Sequence, residues 1–202
     1  LNEGILEIGD LDNIGGATGD LVFAGGILRL GAAFDELTDD LSARSIIFHD
    51  GGGTLDTNGN DPVFASSLGS GTGGFSKTGL GNLTLNATAS YTGATALSAG
   101  TITIGAANAL GVGGNLTLAG GTTLALGSNS IQHGLVTTSG ASPAITGTGT
   151  INASIGFFLN HTGNTTIDAV LAGSGGLLKA QSNTVTLTGN NTYTGTTEVQ
   201  NG

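Results

Sequence analysis

Gly73-Gly74-Phe75-Ser76-Lys77, Leu83-Thr84-Leu85 and Ser90-Tyr91-Thr92-Gly93-Ala94-Thr95 return, 102 residues on and without a gap. They come back as Gly175-Gly176-Leu177-Leu178-Lys179, Val185-Thr186-Leu187 and Thr192-Tyr193-Thr194-Gly195-Thr196-Thr197. Between 73–100 and 175–202, ten of 28 positions are identical, and Phe75/Leu177, Leu83/Val185 and Leu97/Val199 exchange one apolar residue for another. A unit that recurs at a fixed offset buries its apolar face by stacking on neighbours, so most of its residues serve stacking rather than chemistry. The second copy stops at Gly202, the partner of Gly100, whereas the first runs on into Thr101-Ile102-Thr103-Ile104. Residues 1–202 are therefore expected to form a single segment of a longer solenoid.

Composition sets the kind of solenoid. Glycine accounts for 39 of 202 residues and charged residues for 9%, against about 7% and about 25% in average proteins. A glycine-rich chain of low hydrophobicity would be disordered. Here 38% of residues are hydrophobic and the mean hydropathy is +0.23, enough for a long, thin aliphatic core. With aromatics at 4%, that core cannot be bulky. No apolar run approaches the roughly 18 residues of a membrane-spanning helix, and no signal-like segment opens the chain. Cysteine is absent, which suits a core held by stacking and an export route through a narrow pore.

Short alternating runs bounded by Gly, Asn and Ser recur throughout, as strands do. In Leu83-Thr84-Leu85, Ile102-Thr103-Ile104, Leu116-Thr117-Leu118 and Val185-Thr186-Leu187, a period of two turns the aliphatic pair inward and the Thr outward. Two-residue hairpin signals are scarce, Asn58-Gly59 and Gly120-Gly121 being the candidates. Short strands, glycine corners and an internal repeat predict an all-β fold, a right-handed parallel β-helix (solenoid) of eight to ten rungs of roughly 20–29 residues each. An antiparallel β-sandwich is the alternative. Phe34, Leu37 and Leu41 fall at helical spacing, so residues 34–44 are either a helix or a loop excursion.

The same residues carry a resemblance. The run from Gly73-Gly74-Phe75-Ser76-Lys77-Thr78-Gly79-Leu80-Gly81-Asn82-Leu83-Thr84-Leu85 to Tyr91-Thr92-Gly93-Ala94-Thr95 and Ala99-Gly100-Thr101-Ile102, with its second copy, is similar to the passenger-associated repeat of bacterial autotransporters. The second copy departs from that pattern at Ala180-Gln181-Ser182-Asn183, and the first at Asn86-Ala87. The resemblance implies a right-handed β-helix passenger at the bacterial cell surface. It also implies export by a C-terminal β-barrel that lies outside these residues and is the expected route of any membrane contact.

Charge is distributed unevenly. Twelve of 14 acidic residues lie in residues 1–61, together with Arg29 and Arg44, while the rest of the chain holds Asp168, Glu198, Lys77 and Lys179. Nucleic-acid binding needs clustered Lys and Arg, and there is no such cluster. The acidic third reads either as a solvated face or as a carbohydrate site, with Asp35, Asp39 and Asp40 as candidate carboxylates for a polysaccharide-degrading or polysaccharide-binding β-helix. Asp50, Asp56 and Asp61 are weak calcium candidates, because Asp50-Gly51-Gly52-Gly53-Thr54-Leu55-Asp56 is a single imperfect copy of a calcium-binding β-roll repeat. The alternative for Asp56-Thr57-Asn58-Gly59-Asn60-Asp61 is a corner in which Asn and Gly supply positive φ. His49, His133 and His161 lack the neighbours of a catalytic relay or a zinc site and read as surface or corner residues. No catalytic residue and no cofactor is assigned, so the chain is not expected to be an enzyme.

Two features invite sharper readings. Lys77 and Lys179 occupy equivalent repeat positions. Two isolated cations make a poor polyanion site, so each is expected at a corner, its stem along apolar surface and its ammonium on backbone carbonyls. Ranked outward Thr is also how some solenoids bind ice, but the Thr residues read as single columns rather than paired Thr-x-Thr columns on each rung. The leading expectation is a non-catalytic stalk or adhesin segment that meets a host or neighbouring-cell surface, its glycans included. The other expectations are the carbohydrate-active reading above and a self-associating extracellular filament subunit.

Overall fold

The computed structural model describes residues 1–16, 19–32, 34 and 39–201. Every strand pairing among them is parallel, and partners lie about one rung apart in sequence. Ten strands follow one another along the first face, from Ile5–Ile8 to Thr197–Val199. They mark nine turns of a β-solenoid, about 43 Å long at the strand spacing of about 4.8 Å. Along this face the steps between paired residues are 20 to 22, as in Phe75↔Thr95 and Thr95↔Leu116. The exception is Ile27↔Thr54, a step of 27 that takes in the excursion at 31–45. The 102-residue offset therefore equals five rungs, and the repeat in sequence is longer than the repeat in structure.

A second face carries seven strands, from Val63–Phe64 through Asn82–Leu85 and Thr101–Ile104 to Val185–Leu187. A third face is built from Leu21–Phe23, Ile46–Phe48 and Ser70–Gly71 at one end. At the other end it consists of Val170–Ala172 and the first halves of the long strands Ser130–Gly140 and Thr150–His161. Those long strands turn from the third face onto the first. Between His133 and Leu135 the register shifts, so that Gly134 faces two residues, Ser154 and Ile155. The extra residue is a bulge, and it leaves Ile155 65% exposed.

The core is a set of stacked columns. Leu83, Leu85, Ile102, Ile104, Leu116 and Leu118 are fully buried, as their alternation predicts. Val185 and Leu187 point the same way but are only half-buried, since their strand has a neighbour on one side alone. Aromatic rings fill the wider N-terminal half: Phe48 lies 5.4 Å from Phe23 and 5.4 Å from Tyr91. Asn58 and Gly59 adopt φ of 50° and 93° and form a corner between parallel strands rather than a hairpin. In the region where a helix was one of two expectations, Leu41–Ala43 form a single 3-10 turn capped by Asp40. Asp35 to Thr38 lie outside the described residues.

Candidate functional site

The repeated residues come together in two small devices, each present twice. The first explains Tyr-x-Gly-x-Thr. Tyr91 is buried, its O–H reaching Thr95 Oγ1 at 2.7 Å, and Thr95 in turn donates to the Leu110 carbonyl. The pair Tyr193 and Thr197 repeats the contact at 2.7 Å. A Cβ on the intervening Gly93 would stand closer than 3.0 Å to the backbone of Gly73 and Gly74, and one on Gly195 would meet Gly175 and Gly176. Backbone therefore packs on backbone where the Gly-Gly pair of one rung meets the middle glycine of the next. Burial raises the Tyr91 phenol well above its usual value, partly offset by the Thr95 hydrogen bond.

The second device is the lysine. Lys77 lies in an inward column, between Leu55 and Leu97, and is fully buried. Its Nζ donates to Gly79 O at 2.9 Å, Ala99 O at 3.1 Å and Thr57 Oγ1 at 3.0 Å. Lys179 reaches the equivalent carbonyls, those of Gln181 and Asn201, the latter at 2.7 Å. The expected carbonyl contacts are present, but the residue is interior rather than a corner stem on the surface. Burial pushes the Lys77 ammonium down to about 8, opposed by the charges of Asp56 and Asp61. The signal for burial was available in the aliphatic residues that flank the lysine column one rung away.

All four cations are thus engaged. Arg44 is buried and donates to the carbonyls of Gly16 at 2.6 Å and Leu11 at 3.3 Å, which ties down the loop before the second strand. Arg29 sits between Asp56 at 2.8 Å and Glu7 at 3.7 Å, and its hydrogen bond to Asp56 raises its already high pKa. The acidic candidates hold up backbone and neighbours. Asp50 accepts from Thr72, Asp56 from Arg29 and Asn58, and Asp61 from the Asn82 amide. Asp40 accepts from the Ser42 amide and hydroxyl and from the Ala65 amide, while Asp39 is buried. Among the described residues no three His, Asp or Glu side chains gather as a metal site would require.

Against this geometry the comparisons are informative. Residues 75–104 and 177–202 match the passenger-associated-transport-repeat family, and they include both lysines and both Tyr–Thr pairs. A 138-residue stretch, 62% of this chain, is 40% identical to the adhesin BmaC autotransporter of Brucella suis. The chain therefore carries two passenger-associated transport repeats. It spans 4% of the length of that relative, and no solved structure matches it.

Two of the three histidines are interior, which corrects the expectation of surface or corner positions. His133 Nδ1 contacts the Gly114 carbonyl at 3.1 Å and its Nε2 has no partner. Burial pushes it down to about 4. His161 Nδ1 contacts Thr138 Oγ1 at 2.7 Å, and burial, then the charge of Lys179, lower its pKa as well. His49 is exposed. Both follow the alternation of their own strands, His133 sharing the inward face of Ile131 and His161 that of Phe157 and Leu159.

The second face carries two outward columns. By register, Asn82, Thr101, Thr123, Ala144, Thr166 and Thr186 form one outward column. A second runs through Thr84, Thr103, Ala125, Thr146, Asp168 and Thr188. Two hydroxyls stand side by side on one rung only at Thr101/Thr103 and Thr186/Thr188; Asn82, Ala125, Ala144 and Asp168 interrupt the columns elsewhere. Asn82 links them, its amide donating to Thr84 and its carbonyl accepting from Thr103 at 2.8 Å. On the first face, the outward column of Ser76, Ala96, Thr117 and Thr137 gives way to Phe158 and Leu178. With Leu135 and Ile155 these line an apolar groove of about 360 Å³.

Proposed function

We propose that these residues are one segment of a longer passenger and act as a non-catalytic, rigid spacer displayed outside the bacterial cell, with its outer faces available for adhesion. The observation that carries this reading is the consumption of charge. Every Lys and Arg is engaged by backbone carbonyls or by carboxylates, and the candidate carboxylates Asp40, Asp56 and Asp61 serve caps, corners and ion pairs. A rung of 20 to 22 residues adds about 4.8 Å of length with little demand on outward positions, which suits reach. The adhesin relative supports a host or neighbouring-cell surface as the partner class. No observation favours a polysaccharide-degrading site in the acidic third.

Beads coated with the segment should attach to cultured animal cells more than beads coated with an unrelated β-solenoid. Incubated with a panel of polysaccharides, the segment should release no reducing ends. Release that disappears in Asp39→Ala/Asp40→Ala would overturn the non-catalytic reading.

A further inference from the structure

We infer that the groove beside Asp168, Thr188 and Asn190, with the hydroxyl columns that adjoin it, binds an uncharged, extended polysaccharide laid along the solenoid axis. The inference rests on the adhesive reading above and names its site and ligand class. The groove has a volume of about 460 Å³, and its polar lining is Thr148, Asp168, Thr188 and Asn190. Hydroxyl, amide and carboxylate groups together offer both donors and acceptors, which is what a sugar's hydroxyls require. Thr188 donates to Asp168 at 2.9 Å, holding the carboxylate at the groove edge.

Charge decides between polymer classes. With all four cations engaged by carbonyls or carboxylates elsewhere, an acidic polysaccharide would gain no ion pair here and would meet Asp168 as a like charge. A neutral one loses nothing. Periodicity decides between a polymer and a compact ligand. Thr166 lies one rung below Thr186, and Asp168 one rung below Thr188, so similar polar groups recur about every 4.8 Å along the axis and about 6.8 Å across it. A ligand that meets them at each step must itself repeat. These side chains point outward and the core does not require them.

The test is affinity electrophoresis of the segment through gels containing glucan, mannan or galactan, and through gels containing polygalacturonate or heparin. At least one neutral polymer should retard it, and the acidic ones should not. Retardation should persist from about 50 mM to about 500 mM NaCl, because no exposed ion pair is involved. Asp168→Ala and Thr188→Val should each weaken binding about tenfold, the effect of a hydrogen bond or two lost to a ligand, with unchanged thermal unfolding. No retardation by any neutral polymer, preference for the acidic ones, or full binding by both variants would overturn the inference. So would thermal hysteresis in ice without glycan binding, which would make the columns a water-ordering surface. If coated beads carrying the double variant still hold cells as wild type does, the glycan site fails and the adhesive reading stands. If wild-type beads hold none, the adhesive reading itself fails.

Discussion

His133 should make the segment lose stability in mild acid. In the fold its ring is 3% exposed, Nδ1 faces the Gly114 carbonyl and Nε2 faces apolar core without a partner. The neutral imidazole is therefore favoured, and its pKa lies at about 4 against about 6.5 for an unfolded chain. Because the folded pKa is the lower one, the unfolded chain takes up a proton first as pH falls. Stability from this residue is complete above about pH 6.5, declines from there to about pH 4, and is gone below it. The difference of about 2.5 units corresponds to about 3 kcal/mol, or roughly 6–12 °C in a domain of this size. The perturbation is His133→Asn, which keeps a donor near the Nδ1 position and cannot titrate. Urea unfolding from pH 7 to pH 4 should show wild type losing about 3 kcal/mol more than the variant. The slope is the readout, so any cavity the smaller side chain leaves does not affect the comparison. Parallel pH profiles for the two proteins would refute the reasoning.

Gly93→Ala should cost more than about 4 kcal/mol, because its Cβ would meet only backbone atoms of the adjacent rung, whereas Gly113→Ala, with φ of 85° and open space around it, should cost about 1–2 kcal/mol; thermal unfolding of the two separates them. Lys77→Met removes a buried charge whose depressed pKa represents about 3 kcal/mol but leaves several acceptors unpaired at about 1 kcal/mol or more each, so the net change near pH 7 should be small. Since the folded pKa of about 8 lies below the unfolded value, wild type should gain stability from pH 8 towards pH 10, and denaturant titrations of the variant should lack that gain.

The parts of this molecule that were legible in sequence are those fixed by alternation within one strand. Leu83-Thr84-Leu85 and its relatives declare which side chains face inward whatever the neighbouring rung contains. Properties that arise between rungs were not legible in the same way. Lys77 shares the inward face of Phe75, but it finds its acceptors at Thr57 and Ala99, one rung below and one above, and no single strand names those partners. The outward columns of the second face read as unpaired because Asn82, Ala125, Ala144 and Asp168 interrupt the Thr-x-Thr pattern, and hydroxyls stand side by side only at Thr101/Thr103 and Thr186/Thr188. His133 and His161 are legible by alternation, from Ile131-Gln132-His133 and from Phe157-Phe158-Leu159-Asn160-His161, whereas residue type alone points to the surface. The bulge opposite Gly134 has no such signal in a one-dimensional reading. The repeat itself named the architecture, and the expected rung of roughly 20–29 residues is met by steps of 20 to 22 along the first face, one fifth of the repeat's offset.

That relation between period and rung is the most direct point of attack. A second copy of residues 75–176 inserted after Gly176 recreates the native Gly-Phe junction of Gly74 and Phe75 and adds 102 residues. If the chain is a parallel solenoid spacer, small-angle scattering should show a rod longer by five rungs, about 24 Å, with an unchanged cross-section. A particle that grows in breadth at constant length, or that unfolds, would contradict the account.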